Sequence, residues 1–288
     1  MKKGMIFGLG NIGSTLRRNI SKEKIEIKYI VRSDGVFDFG LNKISEKENW
    51  KNFIDDIDVA FVCIPTIGKG EEALKYSLAL LEKRKSVITC EKASIAYHWD
   101  TLRQYKNILR YTASVGGGTK MLKEISRYKS KDIVNIKGVV NGTLNYISCN
   151  LKNGNSVEET VKEVLEKGFA EPGAKTLEEI IKAEMNDVVL KTIIIANHSG
   201  LFDKIITREN VEVILSTQKD LISKRCIIDL NKEKIRCGFI EDTKADWLPD
   251  GVDNILYING EKKAFGLGAG AEATVESMLG DFCDCILK

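Results

Sequence analysis

The feature that most constrains this chain is a set of three glycines that directly follows an apolar strand pattern near the N-terminus. Gly8, Gly10 and Gly13 are spaced G-x-G-x-x-G and come after Met5-Ile6-Phe7. Apolar residues then recur at the spacing of one helix face, at Ile12, Leu16 and Ile20. The order of a strand, a glycine turn and a helix is therefore predicted for the first twenty residues.

These three parts are what a dinucleotide site requires. Gly8 permits a tight turn, Gly10 lets the backbone approach a pyrophosphate, and Gly13 lets the helix and the strand pack closely. The free N–H groups and the dipole at the helix start attract negative charge. We therefore predict a nucleotide site, rather than an ordinary glycine turn, that includes Gly8, Gly10, Asn11, Ile12 and Gly13.

Composition excludes several other classes of function. The 288 residues, of which 43% are hydrophobic and 30% charged, suit a globular protein of two domains. The net charge is +3 and no basic run occurs, so we expect no nucleic-acid partner. We also expect no membrane association, because no apolar stretch reaches about 18 residues, and no signal peptide, because Met1-Lys2-Lys3 leads into a strand.

Cysteine usage points to a reducing compartment. The number of cysteines is odd, seven, and Cys63 and Cys90 lie inside apolar strand patterns, so we expect buried thiols in the cytoplasm. Cys283 and Cys285 could form a redox pair or part of a metal site. With two histidines and no second cluster in the sequence, no bound metal is expected.

The second strand pattern, residues 25–31, bears on the choice of cofactor. It ends at Arg32, roughly twenty residues past the glycines, where the adenosine ribose is read. An acidic residue there would bind the 2′-hydroxyl of NAD, whereas an arginine could pair with the 2′-phosphate of NADP. Asp34 follows two residues later. We predict NADP, with NAD as the alternative, and the competing interpretation of Arg32 is a solvated charge at a strand end.

Two further strand patterns place residues at the same ligand-binding edge. Residues 59–64 form a continuous apolar run that ends at Pro65-Thr66, as expected for a buried parallel strand. Residues 86–90 form the next strand, which closes with Glu91-Lys92. Residues 37–52, by contrast, are polar and lack a clear period.

A long buried helix is predicted between Thr176 and Gly200. Thr176 and Glu179 have the spacing of a capping box, and Gly200 lies beyond the far end, so residues 177 to about 197 are predicted to form one long helix, with a broken helix as the alternative. Its second half is almost wholly apolar apart from Lys191, which follows Asp187 by four residues. An exposed ion pair does not fit so apolar a helix, so we expect the pair to face a cleft.

Several stretches resemble homoserine dehydrogenases, in the order of that family and over the whole chain. They are the N-terminal glycines, residues 89–92, residues 112–118, residues 138–146, Glu171 with residues 187–191, and residues 266–270 with Thr274. The resemblance implies an α/β protein with a Rossmann nucleotide-binding domain over 1–133. It also implies an α+β substrate and dimerisation domain over 134–265, and a C-terminal helix over 266–288 that returns to the nucleotide domain.

The same resemblance implies an activity. The expected enzyme is a homodimer that interconverts L-aspartate 4-semialdehyde and L-homoserine with a nicotinamide cofactor, in threonine and methionine biosynthesis. Lys191 and Lys92 would serve proton transfer and carbonyl orientation, and Glu171 and Asp187 would hold the amino end of the substrate. The resemblance adds Asn141, Gly142 and Thr143 to the substrate site, and Pro65, Thr66, Lys92, Gly268 and Gly270 to the cofactor site.

The chemistry of the residues agrees with these roles. Hydride transfer to an aldehyde leaves negative charge on oxygen, so a cation that also donates a proton should lie there, and Lys191 is the best candidate. Carboxylates complement an ammonium group. His98 and His198 lie outside the motifs, and His198, near a helix end, is expected to be structural.

Three departures from the family pattern leave alternatives open. Thr112 stands where the family has a glutamate that binds a monovalent cation together with carbonyls matching Val115, Gly117 and Thr119. Glu91 replaces an asparagine, and the interval from Glu171 to Asp187 is longer than usual. The alternatives are a dehydrogenase of another small amino acid or semialdehyde, and a nicotinamide-binding regulatory protein without catalysis.

Overall fold

The computed structural model describes residues 1–20, 25–170, 173–216, 218–241 and 247–286. The chain forms two compact units, one of Met1–Gly117 with Gly270–Lys288 and the other of Gly118–Ala269. We call them the N-terminal unit and the central unit and describe each by itself. The domain boundaries expected from the sequence, after residues 133 and 265, stay predictions.

Within the described residues, the strands are β1 Lys2–Phe7, β2 Ile25–Arg32, β3 Gly35–Phe37, β4 Lys43–Ser45, β5 Val59–Val62, β6 Ser86–Thr89, β7 Leu109–Arg110, β8 Asn135–Val139, β9 Glu212–Ile214, β10 Lys224–Asn231, β11 Lys234–Glu241, β12 Asp253–Ile258 and β13 Glu261–Leu267. The α-helices are α1 Asn11–Asn19, α2 Glu71–Glu82, α3 Ala93–Tyr97, α4 Trp99–Leu102, α5 Met121–Ile125, α6 Gly142–Lys152, α7 Val157–Glu166, α8 Leu177–Ser199 and α9 Ala271–Ile286.

The N-terminal unit is a Rossmann-type sheet with helices, as the sequence predicts. Its strands are ordered β4-β3-β2-β1-β5-β6-β7, and β2, β1, β5, β6 and β7 run parallel. The chain leaves β1 toward β2 and later returns to the other side of β1 at β5. This reversal opens a crevice at the carboxyl ends of β1 and β5, where such sheets bind ligands.

The sequence did not predict the structure of residues 37–52. The hairpin of β3 and β4 extends the sheet in antiparallel fashion beyond β2, and a 3-10 helix covers Lys47–Asp56. Each of these strands has three residues, which is too short for a period of two to show in the sequence. Trp50, 3% exposed, fixes the segment by packing edge-on against Phe7 and Tyr76.

The C-terminal helix belongs to the N-terminal unit and confirms the predicted return of the chain. Val275, Met278 and Phe282 of α9 lie in one buried cluster with residues of β1, β5 and β6. Polar contacts add to this packing: both the backbone N–H and the hydroxyl of Thr112 donate to the buried Asp281 carboxylate, at 3.0 and 2.7 Å. The helix is therefore a part of the core of this unit.

The central unit has a second sheet, ordered β13-β12-β8-β10-β11-β9 in the described part of the chain. Neighbouring strands are antiparallel except β11 and β9. Helix α8 packs on one face, where Met185 lies 3.7 Å from the sulfur of Cys226 on β10. None of the described helices combines the length and apolar composition that crossing a membrane requires.

Helix α8 is one continuous helix over Leu177–Ser199, so the alternative of a broken helix is wrong. Thr176 and Glu179 form the capping box at its start, and Gly200 ends it with a left-handed φ of +62°. The residues from Val188 to Ile195 are all buried, as predicted. The local signals at both ends of the helix were therefore sufficient to place it.

The glycine turn offers a matched test of sterics. A Cβ at Gly13 would overlap the carbonyl oxygen of Gly8, whereas a Cβ at Gly10 would have no atom within 4 Å. We expect Gly13→Ala to lower the free energy of unfolding by about 1–3 kcal/mol, as overpacking does. Gly10→Ala, the control, should change it by less than about 1 kcal/mol. Urea unfolding of both variants measures this difference, and equal midpoints would contradict it.

Candidate functional site

The glycine turn at the end of β1 has the geometry that an anionic ligand needs. Gly8 has a φ of +88°, and its N–H donates to Val31 at 2.9 Å. Gly10 is the N-cap of α1, and no side chain among the described residues caps this helix start. The first turn also contains no acidic residue. The N–H groups of Asn11, Ile12 and Gly13 therefore begin a helix whose dipole favours a pyrophosphate.

The end of β5 forms the second wall of this crevice. A Cβ at Gly8 would lie 2.7 Å from the carbonyl oxygen of Cys63, so the turn and the strand end are in close contact. Pro65 and Thr66 follow directly, exposed and half-buried respectively. Both residues therefore lie just past β5, beside the Gly8 turn.

Arg32 is the last residue of β2 and is held by two contacts. Its guanidinium donates to Asp34 at 2.9 Å and stacks 4.6 Å from the ring centre of Phe37. Arg32 is therefore not a freely solvated charge. Both members of the ion pair are substantially exposed, with side chains 36% and 56% accessible, so the pair is weak and can open for a stronger anion.

Lys92 is half-buried at the carboxyl end of β6, where it is the N-cap of α3. The preceding Glu91 is buried, and its carboxylate accepts the N–H groups of Ala93 and Ser94 at 2.7 and 2.8 Å. The glutamate that replaces the asparagine of the family thus binds the start of α3. Its negative charge is compensated by backbone donors.

In the central unit, α6 and α8 bring together a polar cluster of sequence-predicted residues. The Lys191 ammonium lies 2.7 Å from Asp187 and donates to the carbonyl oxygen of Val140 at 2.7 Å. Asn141 donates to the same Asp187 oxygen at 3.1 Å. The Lys191 and Asp187 side chains are only 10% and 12% exposed, so the pair is not an ordinary surface ion pair.

Two contacts hold the Lys191 ammonium in one position. A lysine ammonium has three N–H donors, and two of them point toward Asp187 and the carbonyl oxygen of Val140. The third can donate to an oxygen that enters the remaining accessible surface. This arrangement suits a proton donor to a developing alkoxide.

Glu184 is a member of this cluster that the sequence analysis missed. Its carboxylate accepts the Asn141 side-chain N–H at 2.6 Å, and the residue is 5% exposed. A signal was present, because Glu184, Asp187 and Lys191 are spaced i, i+3 and i+7 and share one helix face. Cys226 lies behind them: burial raises the pKa of its thiol well above the usual value, with smaller contributions from Cys237, Asp187 and Glu184.

The other residues of the predicted substrate site start α6. The side-chain oxygen of Asn141, Oδ1, caps the helix by accepting the N–H of Leu144 at 2.9 Å. A Cβ at Gly142 would overlap the backbone of Val252, and the Thr143 hydroxyl donates to the carbonyl of Phe169 at 2.7 Å. Gly142 and Thr143 therefore have packing roles that fix the helix start.

Two residues of the predicted cofactor site, Gly268 and Gly270, lie outside the clusters described above. Glu171 lies outside the described residues. Gly268 is in the central unit, where a Cβ would overlap the side chain of Asn254. Gly270 is in the N-terminal unit, with a φ of +114°, directly before α9. Lys92 also belongs to the N-terminal unit, whereas Lys191 belongs to the central unit.

The residues considered for metal binding have protein partners. Thr112 donates to Asp281, and the carbonyl oxygen of Gly117 accepts the Ser277 hydroxyl at 2.6 Å. In the described part of the chain, no three His, Cys, Asp or Glu residues are grouped as a metal site would need, and Cys283 and Cys285 form no disulfide. His198 contacts Leu122 and Ser126, and burial lowers its pKa to about 4, which supports a structural role.

The two units together define a class of protein. One has a Rossmann sheet with an open glycine turn, and the other has a buried lysine held by a carboxylate and a backbone carbonyl. This combination is that of an NAD(P)-dependent oxidoreductase. The model of the homoserine dehydrogenase family matches residues 120–283, more than half of the chain, and the protein belongs to that family.

Individual relatives extend this similarity over nearly the whole chain. The homoserine dehydrogenase of Lactococcus lactis is 24% identical over 96% of this chain and 72% of its own. That of Sulfurisphaera tokodaii is 24% identical over 99% of this chain and 98% of its own. A hyperthermophilic archaeal homoserine dehydrogenase, solved in complex with NADPH, shares the fold with a TM-score of 0.80 at 18% identity, over 99% of this chain and 98% of its own.

Proposed function

We propose that this protein interconverts L-aspartate 4-semialdehyde and L-homoserine with NADPH or NADP. The observation that carries the proposal is the buried Asp187–Lys191 pair, because a lysine fixed by Asp187 and Val140 suits protonation of a carbonyl oxygen. Membership of the homoserine dehydrogenase family supports the choice of substrate. Spectrophotometric assays with the semialdehyde, L-homoserine and a panel of small amino acids test the substrate directly.

For the cofactor, we propose binding at the glycine turn of the N-terminal unit. Gly8, Gly10 and Gly13, with the N–H groups of Asn11 and Ile12, would hold the pyrophosphate. Pro65, Thr66 and Gly270 would line the same site, with Gly268 and Lys92 contributing as the family resemblance implies. The related archaeal enzyme was solved with NADPH, which supports a phosphate contact for Arg32.

The proposed reduction needs a proton donor and a group that stabilises negative charge on the carbonyl oxygen. A bound reduced nicotinamide would supply a hydride to the aldehyde carbon, and negative charge would then develop on the carbonyl oxygen. Lys191 would stabilise this charge through its third N–H and then transfer the proton, which yields the alcohol. Asp187 would hold the ammonium in place and, with Glu171, receive the amino end of the substrate. Lys92 would orient the carbonyl group, and Asn141, Gly142 and Thr143 would form the floor of the site.

We also propose that the protein is a homodimer in the cytoplasm. On β13, Phe265 and Leu267 are 55% and 58% exposed, and they lie on the sheet face of Ile255 because Ile255 pairs directly with Phe265. Such an exposed apolar strip suits contact with a second copy. Light scattering, which should give twice the 32.2 kDa of one chain, tests the proposal.

Replacement of Lys191 tests catalysis. Lys191→Met keeps the apolar stem and removes the ammonium, so kcat should fall by on the order of 10²–10⁴, the range of general acid catalysis. NADPH affinity should barely change, because the pyrophosphate contacts are made by other residues. Lys182→Met, which alters an exposed lysine on the same helix, is the control and should leave kcat unchanged. Steady-state kinetics and NADPH fluorescence titration measure both quantities.

The alternative role of Lys191 is to compensate the charge of Asp187 in the fold. In that case Lys191→Met would strand a carboxylate and lower stability by about 3–5 kcal/mol, while the folded protein turned over normally. Thermal unfolding of the same variant separates the two roles. Normal turnover by the folded fraction would end the catalytic assignment.

Replacement of Arg32 tests cofactor choice. We expect the unmodified protein to bind NADPH more tightly than NADH, and Arg32→Ala to lose this preference, because the paired charge for the 2′-phosphate is removed. Asp34→Asn should strengthen the preference, since it removes the anion that now occupies the guanidinium. Arg103→Ala, at an exposed position of the same unit, is the control. Equal affinities of the unmodified protein for the two cofactors would refute the assignment.

A further inference from the structure

The buried carboxylate of Glu184 has no role in the mechanism described so far. It lies one helical turn before Asp187 and two turns before Lys191, on the same face of α8. Its carboxylate accepts a side-chain N–H of Asn141 at 2.6 Å, and the same amide nitrogen donates to Asp187 at 3.1 Å. Glu184 therefore adjoins the lysine cluster through Asn141.

The Asn141 amide can take only one orientation in this position. Its oxygen accepts the N–H of Leu144, while its nitrogen donates to Glu184 and Asp187. A reversed amide would place its oxygen against two carboxylates and lose the cap of α6. Because the nitrogen has two N–H donors, it can satisfy both carboxylates together.

The same contacts join the start of α6 to α8 in a closed loop. Lys191 donates to the carbonyl of Val140, the residue directly before Asn141, and pairs with Asp187. Asp187 in turn accepts from Asn141. The position of the Asn141 amide thus determines where Asp187 lies, and Asp187 determines where the Lys191 ammonium lies. The charge-assisted hydrogen bond to Glu184, at 2.6 Å, is shorter than the 3.1 Å bond from the same amide nitrogen to Asp187.

We infer that Glu184 is a positioning residue that acts through Asn141 to hold Asp187 and Lys191 in the geometry that receives the amino-acid substrate. The inference rests on the proposed function and deepens it. Glu184 touches Asn141, so it sets the geometry of the substrate site and takes no part in proton transfer. A displacement of about 1 Å in such a site can cost up to about 10²-fold in rate.

Two variants at this position separate the acceptor from the charge. Glu184→Gln keeps an oxygen that can accept from Asn141, whereas Glu184→Leu removes the acceptor and keeps an apolar volume. Glu178→Gln, at an exposed position in the first turn of the same helix, is the matched control. Kinetics should be normalised to the concentration of folded protein, taken from NADPH fluorescence titration.

We expect Glu184→Leu to lower kcat about 10- to 100-fold and to raise the KM for the semialdehyde, with the KM for NADPH unchanged. Glu184→Gln should keep kcat within about threefold of the unmodified protein, since its side-chain oxygen can still accept from Asn141. A purely structural role for Glu184 would reduce the amount of folded protein and leave both KM values unchanged. That result would overturn the inference.

A spectroscopic measurement decides the geometry without any turnover. The side-chain N–H₂ resonances of Asn141, identified by their loss in Asn141→Ser, should exchange slowly with solvent in the unmodified protein and in Glu184→Gln. In Glu184→Leu they should exchange rapidly. Unchanged exchange in Glu184→Leu would refute the inference. An unmodified protein with slow exchange that fails to reduce the semialdehyde would instead refute the proposed function alone.

Discussion

The interaction on which the proposed site depends is the ion pair of Lys191 and Asp187, which lies where the apolar second half of α8 begins. Removing two charges from water costs free energy unless the remaining donors and acceptors are also satisfied. Here the Val140 carbonyl binds the ammonium and the Asn141 amide binds the carboxylate. The pair is therefore anchored to another segment of the chain, which explains how a charged pair is accommodated where Val188, Val189 and Leu190 are buried.

The fold supplies this anchor by fixing both segments. The capping box at Thr176 begins helix α8 and the left-handed Gly200 ends it, so both ends of the helix are fixed. Strand β8 lies in the middle of its sheet between β12 and β10, and it ends at Val139, directly before Val140 and Asn141. Because a central strand is held on both sides, the carbonyl and the amide that follow it are placed accurately. The proposed substrate site thus rests on rigid elements of the central unit.

In the proposed nucleotide site of the N-terminal unit, steric contact decides where a side chain can be accommodated. Gly13 has no room for a side chain, and Gly8 has both a positive φ and close contact with Cys63. Gly10, which meets no neighbour, leaves the helix start open to a ligand. The glycines therefore serve different purposes, two for packing of the turn and one for access. Arg32, which contacts Asp34 and Phe37, adds a positive charge to this site. An entering phosphate would have to displace Asp34 from the Arg32 guanidinium.

The sequence alone determined the features that depend on neighbouring residues. These are the strand, glycine turn and helix at the start of the chain, the two ends of α8 and its buried second half, and the pairing of Asp187 with Lys191. The resemblance to a family further supplied the C-terminal helix. Tertiary structure decided the rest, because it concerns residues far apart in the chain. Asn141 reaches Glu184 across 43 positions, and the Val140 carbonyl reaches Lys191 across 51. Glu91 lies only two and three positions from the Ala93 and Ser94 N–H groups that it accepts. Its contact with the start of α3 still depends on the orientation of a buried carboxylate, which no local periodicity encodes.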